Sequence, residues 1–433
     1  MAVKKESLFL REESLIRITG PAKIQVKKGT VYLLGLKLTK EKSVTIGVGR
    51  TLALKATENS ELELLLGPSG KAEPANPREE VIDDWIRTAE MLSREGVIIV
   101  LGETDSGKST FSTFIINTAL EKGLKVAFID TDLGQKDVGY PGTVTLTFPK
   151  QPLTWIRSLQ PHSSKFIGSI TPYNAEECVI ASTLKLLREA RDKADLIVVN
   201  TDGWVIDEKA IKYKTSLVSV INPDNIVVME GFGQTRFLSK TLEKMRYKVF
   251  NVPSPPSRPL KTRNQRKFNR ETAFASMLLS AQRININIKA CPILNIPIGL
   301  GERYLEAELK IERLLNSPAY VEHLHNIATV ITIKESQAEL LKQMRGELCR
   351  LLKVAMLSIT SLEALKNLYV GLHDKQRNLI GLGIIETLDL EKGQLLARTN
   401  IRDPSQICYI LAGSIKITNK GEEKLRKGFP CLT

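Results

Sequence analysis

The sequence predicts an α/β fold: a P-loop core with a mainly parallel sheet, flanked by an N-terminal and a C-terminal β-rich domain. First, continuous apolar strands such as VIIVLG (97–102) and KVAFID (125–130) alternate with helical segments in the middle of the chain, as in parallel sheets covered on both faces. Second, residues 102–109 fit the GxxxxGK[ST] pattern between such a strand and a helix. Third, short runs of alternating apolar and polar residues precede and follow this core, which is typical of antiparallel sheets.

The N-terminal β-rich domain is predicted to span residues 1–78. Alternating runs lie between Gly29 and Leu66, namely TVYLLGLKL, SVTIGV, RTLALKA and ELELLL. The stretch 67–77 carries three prolines and two glycines and ends this pattern. We therefore place a domain boundary there.

The central domain is predicted to span residues 79–285. Helical periodicity over 81–92 leads into the first apolar strand, and a second helix is predicted over 108–122. Further strands are predicted at 165–170, 195–201, 225–230 and 248–252, with helices near 175–192, 207–220 and 237–246.

The C-terminal domain is predicted to span residues 286–433 and to be β-rich. Five segments look like strands separated by turns: LYVGLHD, LIGLGIIETLDL, QLLARTNI, CYILAG and SIKIT. One helix is predicted from Ser336 to Leu352.

The charge balance indicates a polyanionic partner. The chain has 433 residues with 62 Lys+Arg against 48 Asp+Glu, a net charge of +14, which suits nucleic acid, a nucleotide or an acidic membrane surface.

No apolar run approaches the ~20 residues of a membrane span, and no signal peptide is recognisable. We expect a soluble cytoplasmic protein, nuclear if its source is eukaryotic, with no membrane partner. The 5 cysteines are scattered and the 4 histidines are few, so neither disulfides nor a zinc site is expected.

The P-loop predicts a nucleotide-phosphate site. Its glycines let backbone amides turn toward the phosphates, Lys108 bridges the β- and γ-phosphates, and Ser109 can ligate Mg²⁺. The predicted nucleotide-binding residues are Gly102, Glu103, Thr104, Asp105, Ser106, Gly107, Lys108, Ser109 and Thr110.

Two carboxylates follow the next predicted strand. Asp130 and Asp132 lie at the carboxyl edge of the sheet, where open α/β sheets bind ligands. Alternate residues of an extended strand share one side, so both are expected to face the site. We assign Asp130 to Mg²⁺ and Asp132 to the acceptor of the phosphoryl group; the alternative is a merely polar strand end.

Taken together, these motifs resemble the polynucleotide 5′-hydroxyl kinases, the P-loop RNA kinases of RNA-processing factors, and in particular the archaeal type. The resemblance is carried by GETDSGKST, DTDLGQ, GSITPYN (168–174), NTDGW (200–204) and the Arg-rich stretch after about residue 257. It implies transfer of the γ-phosphate of ATP or GTP to the 5′-hydroxyl of RNA, with DNA as a further candidate acceptor, in the presence of Mg²⁺. RNA-processing proteins are the implied protein partners.

The resemblance also implies substrate contacts. Thr171, Pro172 and Asn174 look like the clasp that grips the RNA end, while the alternative is a turn with a capping box between Asn174 and Glu177. Thr201 and Asp202 would face the site. Trp204 would stack on a nucleobase, or else belong to the core. Gln135 of the acidic motif is included among the substrate-binding residues.

A basic segment follows the last core strand. Nine basic residues and no acidic one lie between Lys244 and Arg270, and the RxxxR spacing places Arg266 and Arg270 on one helix face. The segment resembles the family's lid, whose arginines neutralise charge on the transferred phosphoryl group. The alternative is that this basic run is a solvated surface. The spacing leaves open which of Arg263, Arg266 and Arg270 reaches the γ-phosphate.

The hypothesis is therefore an enzyme in which Lys108 holds the phosphates, Asp132 accepts the hydroxyl proton, and Arg266 and Arg270 close over the transfer. One alternative is a subunit of an RNA-processing complex that binds nucleotide without turnover. A second is a regulatory NTPase in which water replaces the sugar hydroxyl. Because a purely structural nucleotide site needs neither Asp132 nor the RxxxR pair, the active kinase is favoured.

Overall fold

The structure is a computed structural model that describes residues 3–76, 80–256 and 260–425. Three sequence features lie outside the described residues: the predicted boundary between residues 78 and 79, one of the nine basic residues (Arg258) and one of the 5 cysteines (Cys431). Within the described ranges, two antiparallel sheets are followed by a mixed sheet with helices and then by two further sheets. No helix in these ranges is both long and apolar enough to cross a membrane.

The N-terminal part forms two sheets because apolar and polar residues alternate along its strands. The strands are β1 (Lys4–Leu10), β2 (Leu15–Thr19), β3 (Ala22–Lys28), β4 (Val31–Leu33), β5 (Leu36–Leu38), β6 (Ser43–Ile46), β7 (Thr51–Ala56), β8 (Ser60–Leu66) and β9 (Lys71–Pro74). They pair in the orders β1-β8-β3-β6 and β5-β4-β7-β2-β9. The predicted sheet was too short at both ends, since three strands precede Gly29. The stretch 67–77, where the boundary was predicted, also contributes β9, which pairs with β2.

The central part alternates helices and strands as predicted. Its elements are α1 (Ile82–Leu92), β10 (Gly96–Gly102), α2 (Lys108–Glu121), β11 (Val126–Asp130), β12 (Thr143–Thr147), β13 (Ser163–Phe166), α3 (Glu176–Arg191), β14 (Leu196–Asn200), α4 (Glu208–Ile221), β15 (Asn225–Glu230), α5 (Arg236–Lys244), β16 (Val249–Pro253) and α6 (Arg263–Leu279).

The central sheet has the order β13-β12-β11-β14-β10-β15-β16. Strands β11, β14, β10, β15 and β16 are parallel, whereas β12 and β13 pair antiparallel. Helices α1 and α2 pack with the N-terminal sheets on one face, and α3, α4 and α5 cover the other. The mainly parallel core is confirmed, and the P-loop strand β10 lies between two parallel neighbours, with its carboxyl end at the ligand-binding edge.

The antiparallel edge of this sheet differs from the prediction. The strand predicted over 165–170 ends at Phe166, and β12 was not predicted. The chain leaves the sheet because the amides of Ile167 and Gly168 both donate to the carbonyl of Gly142, each at 2.9 Å. Gly168 then adopts φ 76°, a conformation that incurs no steric penalty in glycine.

The C-terminal part contains a large mixed sheet and a smaller one. Its elements are β17 (Gln282–Asn287), β18 (Ile293–Leu294), β19 (Glu302–Arg303), α7 (Leu305–Leu315), β20 (Ala319–Leu324), β21 (Ile327–Thr332), α8 (Glu335–Gln343), α9 (Arg345–Leu352), β22 (Met356–Ser361), α10 (Leu362–Leu365), β23 (Leu368–His373), β24 (Leu379–Asp389), β25 (Gln394–Thr399), β26 (Tyr409–Ile417) and β27 (Glu423–Leu425). The orders are β17-β25-β24-β23-β26-β18, with β27 on β26, and β19-β20-β21-β22.

Three predictions for this part need correction. Helix α7 and the smaller sheet were not predicted, and the helix from Ser336 to Leu352 is two helices that meet at Met344. The segments CYILAG and SIKIT form one strand, β26, rather than two. Gly413 between them is no turn residue. A Cβ there would lie 2.8 Å from the carbonyl oxygen of Gly168, so glycine permits the close approach of the two backbones.

Candidate active site at the carboxyl edge of the central sheet

The loop between β10 and α2 has the geometry of an anion site. Gly107, with φ 96°, lies in the left-handed region immediately before α2. A Cβ on Gly102 would lie 2.8 Å from that of Met229, so the tight exit from β10 requires glycine. The first backbone amides of α2 lack helical partners and form the positive end of the helix dipole. The loop can therefore bind phosphate groups.

Ser106, within the loop, also indicates a phosphate site. Its carbonyl accepts a hydrogen bond from the Ser254 hydroxyl at 2.6 Å, which anchors the loop to the chain after β16. Its own Oγ is buried and has no hydrogen-bond partner. Buried hydroxyl groups normally have one, and a bound phosphate oxygen would supply it.

The side chain of Glu103, one of the predicted nucleotide-binding residues, does not face the site. The residue is only 3% exposed, and its carboxylate accepts hydrogen bonds from the backbone amides of Phe232 and Gln234, at 3.0 and 2.9 Å. The side chain therefore supports the loop after β15. The neighbouring Thr104 and Asp105 do line the site.

A cavity of about 550 Å³ extends from the P-loop to the N-terminal sheets. Its walls include P-loop residues, apolar and aromatic side chains, and polar residues of the strand ends, among them Thr104, Asp105, Ser106, Gly107, Lys108, Ser109, Thr110, Leu52, Ala53, Trp85, Trp155, Asp132, Gln135 and Asn200. Asn117 of α2 links the central part of the chain to the N-terminal part, because its Nδ2 donates to the carbonyls of Leu34 and Leu153, each at 2.7 Å. The volume and mixed lining are those of a small-molecule site.

Lys108 lies at the base of this cavity. Its Nζ donates to the carbonyls of Gly102 and Glu103, at 2.9 and 2.6 Å. Burial lowers the pKa of Lys108 to about 8, although the nearby Asp132 carboxylate opposes that shift. A phosphate group would stabilise the charged ammonium, as the P-loop chemistry requires.

Asp132 lies just beyond β11 and lines the cavity. Its Oδ1 accepts hydrogen bonds from the amides of Gly134 and Gln135, at 2.9 and 2.8 Å, which fix the carboxylate's orientation. Burial, followed by the charges of Asp202 and Asp130, raises the pKa of Asp132 to about 6. A carboxylate with such a pKa suits a general base near neutral pH.

Asp130 is not available to a metal ion, which corrects its predicted role. It is fully buried. One carboxylate oxygen accepts from the amide of Asp132, and the other accepts from the amides of Asp137 and Val138 and pairs with Lys136 at 3.3 Å. Burial raises the pKa of Asp130. The residue thus holds the turn that presents Asp132 to the cavity.

The residues that do suit Mg²⁺ are Ser109 and Asn200. The Asn200 Nδ2 lies 3.4 Å from the Ser109 Oγ, and the Asn200 Oδ1 is buried without a hydrogen-bond partner. Magnesium prefers oxygen ligands and commonly takes one or two from the protein and the others from phosphates and water. Within the described ranges, no group of three or more His, Cys, Asp or Glu side chains is placed to hold a metal. Asn200 was not predicted, although the edge argument that selected Asp132 applies to it equally.

Gln135 lies between the acidic turn and the lid helix. Its Nε2 donates to the carbonyls of Gly134 and Arg266, at 3.0 and 3.4 Å, while its Oε1 is buried without a partner. The residue lines the cavity, so its predicted contact with substrate stays a prediction with a suitable geometry.

Thr201 has a structural role, but it also lines the cavity, so its predicted contact with substrate stays a prediction. It is fully buried, and its hydroxyl donates to the carbonyl of Val100 at 2.8 Å. This hydrogen bond joins the ends of β14 and β10. Gly203 then packs on the P-loop, where a Cβ would lie 2.4 Å from the Thr104 Oγ1.

Asp202 is held by a buried network that sequence reasoning missed. Its Oδ2 accepts from Lys214 at 2.6 Å and from the hydroxyl of Tyr213 at 3.2 Å, and its Oδ1 accepts from the amide of Trp204 at 2.9 Å. Lys214 is fully buried on α4. The ion pair therefore fixes the loop that carries Trp204.

We expect Lys214→Met to lower the free energy of unfolding by ~3–5 kcal/mol, because it leaves the buried Asp202 charge without its partner. Urea titration followed by circular dichroism measures the change. Lys212→Met is the matched control, since Lys212 is exposed on the same helix and should shift stability by no more than ~0.5 kcal/mol. A Lys214→Met protein as stable as the wild type would contradict the assigned role.

Trp204 is half-buried, which is intermediate between an exposed residue that stacks on a nucleobase and a core residue. Its ring lies between Tyr173 and Tyr213, with centroids 5.6 and 6.0 Å away, and its Nε1 donates to Asp207 at 2.6 Å. Tyr173 is 54% exposed, and the Nζ of Lys209 lies 3.9 Å from its ring centroid. The group forms an aromatic surface with a cation beside it.

The predicted clasp residues lie in the loop before α3. Thr171 is exposed, and its Oγ1 accepts from the amide of Tyr173 at 3.2 Å. Asn174 is exposed in the left-handed region, with φ 62°, and its Oδ1 accepts from Lys209 at 2.6 Å. Pro172 is buried. The capping box suggested for Asn174 is wrong, because α3 begins after Ala175 without a side-chain cap.

The lid helix α6 brings one of the predicted arginines to the P-loop. It begins with a capping box of Thr262 and Gln265. Arg266 then pairs with Asp105 at 2.7 Å. Arg263 is exposed, and Arg270 pairs with Glu423 of β27. None of these three arginines lines the cavity itself, so Arg266 reaches the P-loop through its pair with Asp105.

Comparison with known proteins gives the family. A family model described as mRNA cleavage and polyadenylation factor CLP1 P-loop matches residues 102–278, from the end of β10 to α6. The polyribonucleotide 5′-hydroxyl-kinase of Methanocaldococcus jannaschii is 31% identical over 328 residues, which cover 75% of this chain and 88% of that protein. The chain belongs to the polyribonucleotide 5′-hydroxyl-kinase family.

Other comparisons with the polyribonucleotide 5′-hydroxyl-kinase family extend over most of the chain. The relative from Thermococcus kodakarensis is 28% identical over 357 residues, or 80% of this chain and 95% of that protein. The solved structure of the wild-type Clp1p–Pcf11p complex matches with a TM-score of 0.60 at 12% identity, covering 95% of this chain and 98% of that chain. That likeness shows a shared fold. The predicted family and fold class are confirmed.

Proposed function

We propose that this chain transfers the γ-phosphoryl group of ATP or GTP to the 5′-hydroxyl of RNA, with Mg²⁺. The observation that carries the proposal is the placement of the Lys108 ammonium and the Asp132 carboxylate on one cavity at the carboxyl edge of the sheet. The ammonium suits the phosphates of the donor, and the carboxylate suits the hydroxyl of the acceptor.

The transfer can be written with these residues. The 5′-hydroxyl oxygen of RNA attacks the γ-phosphorus, the bond from that phosphorus to the β,γ-bridging oxygen breaks, and the nucleoside diphosphate leaves. Asp132 accepts the proton of the hydroxyl. Lys108 and the amides of α2 stabilise negative charge on the phosphates, and Arg266 does so from the lid.

Ser109 and Asn200 would hold Mg²⁺ together with phosphate oxygens. The ion, when bound, neutralises charge on the β- and γ-phosphates. Asn200 currently directs its Nδ2 toward the Ser109 hydroxyl, and rotation of the amide would present its Oδ1 instead.

The aromatic surface around Trp204 supports a contact with the RNA chain. A base stacked on an aromatic ring gains ~1–3 kcal/mol and needs no particular sequence, which suits an enzyme that acts on chain ends. Lys209, beside Tyr173, would meet the RNA phosphates. Thr171 and Asn174 lie on the same loop and stay proposed contacts with the RNA end.

The direct test incubates the chain with γ-labelled ATP or GTP, Mg²⁺ and a 5′-hydroxyl RNA or DNA oligonucleotide. Label should appear on the 5′ end of RNA, and a 5′-phosphorylated RNA of the same sequence should stay unlabelled. Tight nucleotide binding without label would indicate the non-catalytic subunit. Hydrolysis of the nucleotide at a rate unchanged by RNA would indicate the regulatory NTPase.

The pH dependence follows from the two perturbed groups. We expect kcat/KM for the nucleotide, which depends on the free enzyme, to rise as pH increases through about 6, where Asp132 loses its proton and becomes a base. It should fall as pH increases through about 8, where Lys108 loses its charge. Initial rates at constant ionic strength measure the profile. A rate independent of pH on the acid side would exclude Asp132 as the base.

A further inference from the structure

The lid helix α6 is built into the C-terminal part of the chain. Its second half buries Phe274, Met277 and Leu278 in one cluster with Ile415 and other C-terminal side chains. The ring centroids of Phe274 and Tyr369 lie 5.4 Å apart. About half of the helix therefore belongs to the core of the C-terminal sheet.

The first half of the same helix meets the P-loop. The Asp105 Oδ2 accepts from an Arg266 nitrogen at 2.7 Å and from the amide of Lys261 at 3.0 Å. Gln135 donates to the Arg266 carbonyl at 3.4 Å. A helix of 17 residues thus connects the nucleotide site with the C-terminal sheet.

Arg270 lies where these two halves meet. Its Nε and one terminal nitrogen donate to the two carboxylate oxygens of Glu423, at 2.7 and 2.5 Å. The arginine side chain is 15% exposed and the glutamate side chain 4%. Planar, bidentate pairs of this kind fix orientation as well as distance.

The β26–β27 hairpin is shaped to make this contact. The amide of Glu423 donates to the Glu271 carboxylate at 3.0 Å. Gly421, with φ 88°, lies against the helix, where a Cβ would be 2.5 Å from the Ala275 nitrogen. Three neighbouring contacts therefore hold the hairpin at one position along α6.

We propose that Arg270 is a positioning residue: its pair with Glu423 locks the lid helix to the C-terminal hairpin and so places Arg266 over the P-loop. The proposal rests on the kinase function proposed above and assigns a task to the C-terminal part. Arg266 and Arg270 are one helical turn apart on one face. Displacement of the helix at Arg270 therefore displaces Arg266.

The competing assignment, Arg270 itself on the transferred phosphoryl group, requires Arg270 to leave Glu423. The two assignments give opposite expectations for Glu423. If Glu423 positions the lid, neutralising it lowers kcat; if it only sequesters Arg270, neutralising it leaves kcat unchanged or raises it.

The test compares Arg270→Glu, Glu423→Arg and the double charge reversal in the full chain, with kcat and KM measured by 5′-end labelling of RNA. Each single reversal should lower kcat by ~10²-fold, the effect of misplacing a group by about 1 Å, and should change KM for the nucleotide little. The double reversal should recover most of kcat. Lys424→Glu is the control, since it reverses an exposed charge next to Glu423 on β27 and should leave kcat unchanged.

Glu423→Gln keeps the shape of the side chain and guards against a folding defect. It should lower kcat, and it should raise hydrogen exchange of the α6 amides while nucleotide binding stays as in the wild type. A Glu423→Gln enzyme with wild-type kcat, or a double reversal as inactive as Arg270→Glu, would overturn the proposal. If the wild-type chain labels no RNA, the kinase function fails; the lock itself is then overturned only if hydrogen exchange of α6 is also unchanged in Glu423→Gln.

Discussion

Replacing Lys108 by alanine should lower the rate of RNA 5′-end phosphorylation by ~10²–10³-fold, the effect of removing one preorganised donor from a developing negative charge. The ammonium lies at the base of the cavity and is the cation of the P-loop. Initial rates with γ-labelled nucleotide at saturating RNA measure kcat, and a nucleotide titration measures KM.

The control must separate chemistry from folding, because Lys108 also donates to the carbonyls of Gly102 and Glu103. Thermal unfolding of the variant shows whether the loop persists. Lys125→Ala removes an exposed lysine before β11 and should leave the rate unchanged. A folded Lys108→Ala protein with wild-type kcat would exclude the P-loop as the phosphate site of the reaction.

Asp132→Asn is expected to lower kcat by ~10²–10⁴-fold, the usual contribution of a general base. The asparagine oxygen can still accept from the amides of Gly134 and Gln135, so the turn should persist. Single-turnover rates across the pH range are the measurement. The loss should be largest above about pH 6, where the wild-type carboxylate is ionised, and the acid limb of the profile should disappear.

Stability gives an independent check on this variant. The pKa of Asp132 is raised in the folded state by burial and by Asp202 and Asp130, so its ionised form opposes folding. Above about pH 6, Asp132→Asn should unfold at a temperature no lower than the wild type, whereas Asp192→Asn, at an exposed position, should change neither rate nor stability. Loss of activity with a large loss of stability would point to a structural role instead.

Much of the nucleotide site could be predicted because its signals are local. The GxxxxGKS spacing requires only a strand, a tight loop and a helix in succession, and the positive φ of Gly107 is a property of that loop. Apolar strands identified the parallel core, and because parallel strands end at one edge, Lys108 and Asp132 could be expected to face the same space.

The choice between Asp130 and Asp132 needed the tertiary structure. Alternation along a strand placed both on one side, but the chain turns directly after Asp130, and three amides and Lys136 enclose its carboxylate. Asn200 is the opposite case, because it was not predicted but the structure places it in the site. A single polar residue at the end of an apolar strand gains meaning only when the neighbouring strand is the one that carries the P-loop.

The lid arginines illustrate the same limit. Helical spacing determined that Arg266 and Arg270 share a face, and the sequence alone could say no more. Asp105 and Glu423, their partners, lie 161 and 153 residues away in the chain. The sequence by itself thus determined the P-loop, the parallel strands of the core and the family. The tertiary structure decided which charged groups meet, because an ion pair depends on distances between segments that no local pattern encodes.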